Sequence, residues 1–310
     1  MGTAIWWVLF FIAASLGTAV LGLLTRWVDR KVTARVQWRV GPPWYQPFAD
    51  ILKLLGKETI LPEPAGWGFL LAPIVAFAAT CVAAAIVVAA NVRPEAGFVG
   101  DLIVVLYFLV VPSLMLVIGG SLSGNPHGAV GASREMKLLL AYELPLVLAV
   151  LAVVLGMSGG PTLRLGAIAR AEMRGTLPAV ASVLGFLIAL FCVQAKMGLV
   201  PFDIAEAETE IMGGPLVEYS GAPLAMFYLT RAMLFALLPM FVVTVFWGGF
   251  GPHLRGWLLG AAKYLVVVGA MVLIRNTNPR VRIDHAMKFF WFGLTPTGFV
   301  AVALAVADLR

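Results

Sequence analysis

Eight apolar stretches dominate the sequence, and each has the roughly twenty residues that an α-helix needs to cross the hydrocarbon core of a bilayer. They lie at approximately 4–25, 67–91, 102–122, 136–157, 178–197, 223–247, 255–274 and 287–307. The apolar residues AVILMFWYC make up 61% of the chain, more than a water-soluble protein of this size buries. The sequence therefore predicts an all-α, polytopic membrane helix bundle of about eight transmembrane helices.

Lysine and arginine are distributed unevenly between the two ends of the predicted bundle. The connections after odd-numbered spans contain fourteen of these residues, whereas the even-numbered side, with the C-terminus, contains six. Because cytoplasmic loops carry the excess of Lys and Arg, the odd-numbered connections should face the cytoplasm and both termini should lie outside. We expect one integral domain, 1–310, in the inner (plasma) membrane, with cytoplasmic connections at about 26–66 and 198–222.

The composition excludes several kinds of function. Charged residues are only 12% of the chain, so the formal charge of +6 is attributed to topology signals and not to binding of nucleic acid. Cys81 and Cys192 form no C-x-x-C pair, and the three histidines have no metal-ligand spacing. Motifs of nucleotide-driven pumps and hydrolases do not occur in the sequence. We therefore expect no catalytic residue, metal or cofactor in this chain.

The first long connection, 26–66, combines a basic stretch with an amphipathic segment. Pro47 suits the first turn of a helix, and Phe48, Ile51 and Leu55 recur at helical spacing. This pattern predicts an interfacial helix at the level of the lipid headgroups. The helix is either a simple membrane anchor or, with the basic stretch, a floor on which a soluble partner docks.

The second long connection, 198–222, contains five closely spaced carboxylates: Asp203, Glu206, Glu208, Glu210 and Glu218. If 202–212 is helical, the first, second and fourth of them lie within about 60° of one another, and Glu208 faces nearly the opposite way. Carboxylates on a partly buried face repel one another, so at least one should stay protonated near neutral pH, as a proton relay requires. The alternative is an acidic face exposed to solvent.

Three ionisable residues lie within the predicted spans: Glu143, Arg231 and Lys263. A charge inside the membrane is costly and therefore indicates function by default. Glu143 is expected near the cytoplasmic end of its span, as either a relay group or a structurally paired carboxylate. Arg231 is a possible charge partner of Glu143 or of the acidic connection, and Lys263 is a further possible charge partner.

The two long connections carry a family resemblance. The stretches RKVTARVQWRVGPPWYQPFADILKLLGKE and PFDIAEAETEIMGGPLVEYSG, together with GASREMKLLLAYELPL and IRNTNPRVRIDHAMKFFW, resemble the H-subunit (subunit 1) family of respiratory complex I. They are more similar to its relatives in membrane-bound, energy-converting NiFe hydrogenases, such as formate hydrogenlyase subunit 4. The resemblance covers essentially the whole chain and agrees with eight spans.

The resemblance implies a membrane anchor that carries no redox centre. Its partners would be a NiFe-hydrogenase-like large subunit, an Fe–S small subunit and antiporter-like membrane subunits, with the NiFe and Fe–S centres in those partners. By motif, Glu143, Asp203, Glu206, Glu208, Glu210 and Glu218 are implied as proton-relay residues. Arg35, Arg39 and Asp50 are implied at the docking interface.

Three functions remain open at this point. The first is an anchor and coupling subunit that links redox chemistry to proton or sodium translocation in a hydrogenase complex. The second is the quinone-site H-type subunit of an NADH or related quinone dehydrogenase. The stretches GPPWYQPFAD and EIMGGPLVEYSG depart from the complex I pattern and favour the first function. The third is a stand-alone secondary transporter, for which the internal repeat typical of such proteins is missing from the sequence.

Overall fold

The computed structural model describes residues 2–63, 65–251 and 253–307, with the side chains of 2–4, 208 and 209 left aside. Within these residues the helices are α1 Gly2–Val36, α2 Gln46–Leu55, α3 Trp67–Val92, α4 Asp101–Ser121, α5 Pro126–Leu155, α6 Leu165–Ile168, α7 Thr176–Lys196, α8 Glu208–Ile211, α9 Gly221–Phe246, α10 Leu254–Thr277, α11 Ile283–Lys288 and α12 Thr295–Ala307. A π-helical segment, Phe289–Leu294, joins α11 to α12.

Among the described residues, eight helical segments are long and apolar enough to cross a membrane, which confirms the predicted fold class. They are α1, α3, α4, α5, α7, α9, α10 and the continuous unit 283–307. The first helix is longer than predicted, because it continues beyond Thr25 to Val36. Polar contacts hold this extension in place: Asp29, within the added turns, pairs with Arg275 of α10, and Thr25, just before them, hydrogen-bonds Tyr264 of the same helix at 2.8 Å.

The most buried span is α9, which packs against α1, α2 and α3. Gly22 allows the close approach of α1, since a Cβ at this position would collide with the backbone of Ala232. Small residues serve the same purpose in other membrane bundles. At the far end of α9, the Asn91 amide donates to Thr244 Oγ1 at 2.9 Å and ties α3 to α9. The core is thus held by close backbone contact and by a few buried hydrogen bonds.

One end of the bundle collects the odd-numbered connections, and we call it the basic end. The last turns of α1, α7 and α10 and the first turns of α5 and α9 meet there. The predicted helix of the first connection is confirmed as α2, which lies against α1 and α9. Pro47 and Ile51 face the bundle and are buried, while Leu52 and Leu55 are exposed.

Cysteine labelling tests whether the basic end faces the cytoplasm. Glu63 and Asp284 are exposed at this end, Glu95 is exposed at the other, and the native Cys81 and Cys192 are buried. From the distribution of Lys and Arg, Glu63→Cys and Asp284→Cys should react with an impermeant thiol reagent only in inverted vesicles.

The matched control is Glu95→Cys, which should react in intact cells. Labelling of the Glu63→Cys and Asp284→Cys variants in intact cells would reverse the proposed orientation.

Candidate functional site

A cavity of about 390 Å³ opens at the basic end between α1, α9, α10 and the connection after α7, and we call it the polar cavity. Its charged lining consists of five arginines and three carboxylates: Arg26, Arg30, Arg231, Arg275, Arg280, Asp29, Asp203 and Glu206. Such a concentration of charge contrasts with the apolar spans around it. Ligand pockets are usually lined mainly by apolar side chains, so this lining suits water and ions better.

Three ion pairs cross the polar cavity, and each joins different segments of the chain. Arg231 of α9 forms two hydrogen bonds to the Glu206 carboxylate, and Arg275 of α10 pairs with Asp29 of α1. Arg280 donates to Asp203 at 2.7 Å. Removing a charge from water is costly unless an opposite charge and hydrogen bonds replace the water. These pairs therefore fix the relative positions of the elements that form the cavity.

The acidic connection does not form the predicted helix over 202–212. Residues 201–207 run through turns, and only Glu208–Ile211 is helical. The reason is burial: Phe202, Ile204 and Ala207 all insert into the bundle, and no single helix face could present them together. The prediction that three carboxylates share one helix face is wrong.

The carboxylates of this connection instead reach different partners. Asp203 and Glu206 line the polar cavity. Glu210 does not line it and instead forms an ion pair with Arg134 at 2.5 Å. Glu218 accepts a hydrogen bond from Asn125 Nδ2 at 2.6 Å, beside the first turn of α5. The predicted orientation of Glu208 concerns a side chain outside the described residues.

Two carboxyl groups of the connection differ in their tendency to ionise. Burial raises the pKa of Asp203 above its ordinary value, although the charges of Arg280, Arg231 and Arg275 oppose this effect. A hydrogen bond from Arg134, together with its charge, lowers the pKa of Glu210. Of the two, Asp203 is therefore the carboxyl group that binds a proton more readily.

A smaller inner cavity, of about 40 Å³, continues from the polar cavity into the bundle. The two cavities share Asp203, Glu206 and Arg231. Deeper in the bundle, the inner cavity is lined by Glu135 of α5 and Lys196 of α7. Charged groups therefore continue from the basic end into the membrane-spanning part.

Sequence reasoning missed Glu135, which is only 5% exposed. It lies one position before the predicted start of the fourth span at Met136, so it counted as a connection residue. The signal that would have found it is its spacing from Tyr142, since seven residues bring two side chains onto nearly the same helix face. Tyr142 is fully buried, and its hydroxyl donates to Ser113, another residue of the inner cavity, at 3.3 Å.

Glu143 pairs with Lys196, whose ammonium group donates to Glu143 Oε2 at 3.0 Å. The Lys196 side chain is 1% exposed, and its Nζ also lies 5.4 Å from the centre of the Tyr142 ring. Sequence reasoning treated Lys196 only as a charge that marks topology. Since Lys196 lines the inner cavity, it links that cavity to Glu143.

The two predicted charge partners, Arg231 and Lys263, contact different groups and lie at different ends of the bundle. Arg231 pairs with Glu206 of the acidic connection and not with Glu143. Lys263 belongs to the opposite end of the bundle, where its ammonium donates to the Trp247 carbonyl at 2.6 Å. Its prediction as a charge partner of the relay is therefore wrong. The reason is its register: α10 places Lys263 three turns before the basic end, beside the last residues of α9.

The docking candidates differ in accessibility. Arg35 and Arg39 are exposed where α1 ends. Asp50 is engaged within the chain, because Arg30 and Gln46 donate to it at 3.0 and 2.8 Å. Burial raises the pKa of Asp50, but these hydrogen bonds and the Arg30 charge outweigh it, and the resulting pKa lies below the ordinary value. Of these three candidates, Arg35 and Arg39 are the ones without an ion pair among the described side chains, and they are exposed to a partner.

Comparisons with known proteins agree on one family. The family model described as NADH dehydrogenase matches residues 7–306. The NADH-quinone oxidoreductase H subunit of Anoxybacillus flavithermus is 35% identical over 314 residues, which cover 95% of this chain and 92% of that protein. The corresponding H subunit of Dehalococcoides mccartyi is 34% identical over 300 residues, with 93% and 82% covered.

A solved structure is similar over nearly the whole chain. It belongs to the membrane-bound sulfane sulfur reductase, an archaeal respiratory membrane complex. The TM-score is 0.83 at 29% sequence identity, and the match covers 98% of this chain and all of that one. The fold is therefore similar to that of a chain from a respiratory membrane complex.

A double-mutant experiment tests the Arg231–Glu206 pair. Arg231→Met leaves the Glu206 carboxylate without its main partner and should lower the free energy of unfolding. The two side chains are 25% and 21% exposed, so the loss should be smaller than the roughly 3–5 kcal/mol of a fully buried pair. Adding Glu206→Gln should restore part of the loss, as measured from the midpoint of thermal unfolding in detergent.

The matched control is Arg282→Met, because the pair of Arg282 with Asp284 is long, at 3.9 Å, and largely exposed. That change should leave the midpoint almost unaltered. Simple addition of the losses of Arg231→Met and Glu206→Gln would contradict the importance of this pair.

Proposed function

Since the chain belongs to the NADH dehydrogenase family, the H-subunit (subunit 1) family of complex I, we propose that it is the anchor and coupling subunit of a hydrogenase-type complex. Family membership makes it a membrane subunit of an NADH-quinone oxidoreductase-like complex. In the proposed function, the redox reaction of a soluble arm drives proton or sodium translocation through a carboxylate relay of this chain. The chain itself performs no redox step.

The observation that carries this proposal is the continuity of ionisable groups from the basic end into the bundle. Asp203 and Glu206 belong to both cavities, Glu135 and Lys196 line the inner one, and Lys196 contacts Glu143. An isolated charge at these depths is costly, whereas a group that exchanges a proton with a neighbour avoids a permanent unpaired charge.

The relay is proposed to run from the polar cavity through Asp203 and Glu206 to Glu135, and from there to Lys196 and Glu143. The Lys196–Glu143 ion pair lies at the end of this path. Transfer of one proton from Lys196 to Glu143 would convert the pair into two neutral groups. Glu210 and Glu218, with partners outside the polar cavity, take a lesser part than the sequence suggested. Glu208 keeps the relay role that the family resemblance implies for it.

The proposed partners are those that the family resemblance implies. A NiFe-hydrogenase-like large subunit and an Fe–S small subunit would dock on the exposed Arg35 and Arg39 and carry the NiFe and Fe–S centres. Antiporter-like subunits would continue the ion path in the membrane. Within the part of the chain that the structure describes, no three His, Cys, Asp or Glu side chains form a metal-binding group.

Support for the hydrogenase-type branch comes from the structural neighbour and not from the curated relatives. That neighbour is a sulfane sulfur reductase complex, and its chain matches 98% of this one. The curated relatives are named NADH-quinone oxidoreductase and favour the quinone-site function instead.

The charged lining of the polar cavity favours an aqueous ion path, because an apolar quinone tail gains little from five arginines and three carboxylates. Membership in this family argues against a stand-alone transporter.

Glutamine substitutions test the relay. Glu→Gln keeps size and hydrogen bonding but removes the exchangeable proton, so Glu143→Gln and Glu206→Gln should leave the complex assembled and lower the number of ions moved per electron. The measurement is ion uptake by inverted vesicles, normalised to electron transfer. Moving one charge across 100 mV requires about 2.3 kcal/mol, which the redox reaction of the soluble arm has to supply.

The control is Glu172→Gln, since Glu172 is exposed at the opposite end of the bundle. This variant should translocate normally. If the Glu143→Gln and Glu206→Gln variants also keep the normal ratio of ions to electrons, the acidic residues of the basic end are structural and the relay is wrong.

A further inference from the structure

A further cavity at the basic end lies between α1, α2 and α9, and we call it the lateral groove. Its volume is about 390 Å³. The floor is apolar and consists of Leu23, Ile51 and Leu54. Leu23 and Ile51 are buried in one cluster with Ala232 of α9, so the floor is a fixed part of the bundle.

The rim of the lateral groove is basic. Arg26, Arg30, Lys53 and Lys57 line it, with Asp50 as the one carboxylate of the lining. Asp50 already neutralises Arg30 through a contact of 3.0 Å. The groove therefore has a surplus of positive charge above an apolar floor.

The other three cations have no carboxylate within salt-bridge distance among the side chains that the structure describes. Arg26 has only a long contact, 3.5 Å, to the Tyr228 carbonyl, and its guanidinium lies 5.5 Å from the centre of the Tyr228 ring. Lys53 and Lys57 are exposed on and just after α2. Arg26, Lys53 and Lys57 therefore carry positive charge that an anion from outside this chain could neutralise.

The lateral groove also adjoins the polar cavity, because Arg26, Arg30 and Tyr228 line both. Of the five arginines of the polar cavity, Arg26 alone has no ion pair among the described residues. A molecule in the groove would therefore cover one wall of the polar cavity and compensate its unpaired arginine.

We infer that the lateral groove binds one anionic phospholipid, with an acyl chain on the floor and the phosphate among Arg26, Lys53 and Lys57. Basic pockets between membrane helices on the cytoplasmic side bind anionic headgroups in other proteins, and the distribution of Lys and Arg assigns the basic end to that side. Exposed Trp44 and Tyr45 precede α2, as is typical of a segment at the interface. The lipid closes the polar cavity toward the bilayer.

This inference does not depend on the proposed relay, since it concerns the wall of the cavity and not the transfer of ions through it. A relay without a bound lipid and a bound lipid without a relay are both physically possible. The two proposals can therefore fail separately.

Photolabelling of the intact complex in nanodiscs tests the inference. The probes are phosphatidylglycerol and phosphatidylcholine, each with a photoreactive diazirine on an acyl chain. Phosphatidylglycerol should label peptides that contain 23–30 or 47–57 in preference to phosphatidylcholine. Lys53→Gln with Lys57→Gln should reduce this labelling by roughly 25-fold, because each basic residue near an anionic lipid contributes about a fivefold change in affinity.

The matched control removes two lysines of the same end outside the groove. Lys137 and Lys288 are exposed there and do not line it, so Lys137→Gln with Lys288→Gln should label normally.

Leu54→Trp keeps every charge but fills the floor, and it should also reduce labelling. This second variant separates occupancy by an acyl chain from general attraction of the basic surface.

Several results would overturn the inference. Equal labelling by the two lipids, or labelling that survives both the double lysine change and Leu54→Trp, would show that the groove is not selective. Displacement of the label by millimolar inorganic phosphate would show a site for free anions. Labelling of neither peptide would show that something other than a lipid covers the groove.

Discussion

The cost of placing a charge away from water determines the organisation of this chain. Most deeply placed charges of the basic end that the structure describes contact an opposite charge on another segment, whereas Arg26 and Glu135 have no such ion pair among the described side chains. Asp29 holds α1 to Arg275 of α10, Glu206 holds the acidic connection to α9, and Glu143 holds α5 to α7 through Lys196. Since each pair joins two elements, the same contacts that compensate charge also build the cavity walls.

Such pairs are suited to coupling as well as to structure. In a pair like Lys196 and Glu143, transfer of one proton from the ammonium to the carboxylate would convert two charges into two neutral groups. The proposed relay uses this property in series, from Asp203 inward. The proposed lipid completes the arrangement at the lateral groove, where Arg26, Lys53 and Lys57 have no carboxylate partner among the described side chains.

The sequence predicted the long elements well, because their formation depends on local patterns. Twenty apolar residues can satisfy their backbone hydrogen bonds in a bilayer only as a helix, and the spacing of Pro47 and Ile51 was enough to predict α2. The acidic connection was predicted wrongly, because burial of Phe202 and Ile204 against distant helices overrides its helical period. Glu135 and the pairing of Lys196 were missed for a related reason: their surroundings come from segments far apart in the chain.

The central claim is that ionisable groups of the inner cavity couple the redox reaction to ion translocation, and Glu135 tests it most directly. It is buried on α5 and lines the inner cavity together with Lys196, and it has no assigned part in docking or in redox chemistry. The measurement is the number of ions moved per electron in proteoliposomes that contain the Glu135→Gln complex. The account predicts normal electron transfer in detergent with a clearly lower ratio in proteoliposomes, and a normal ratio would contradict it.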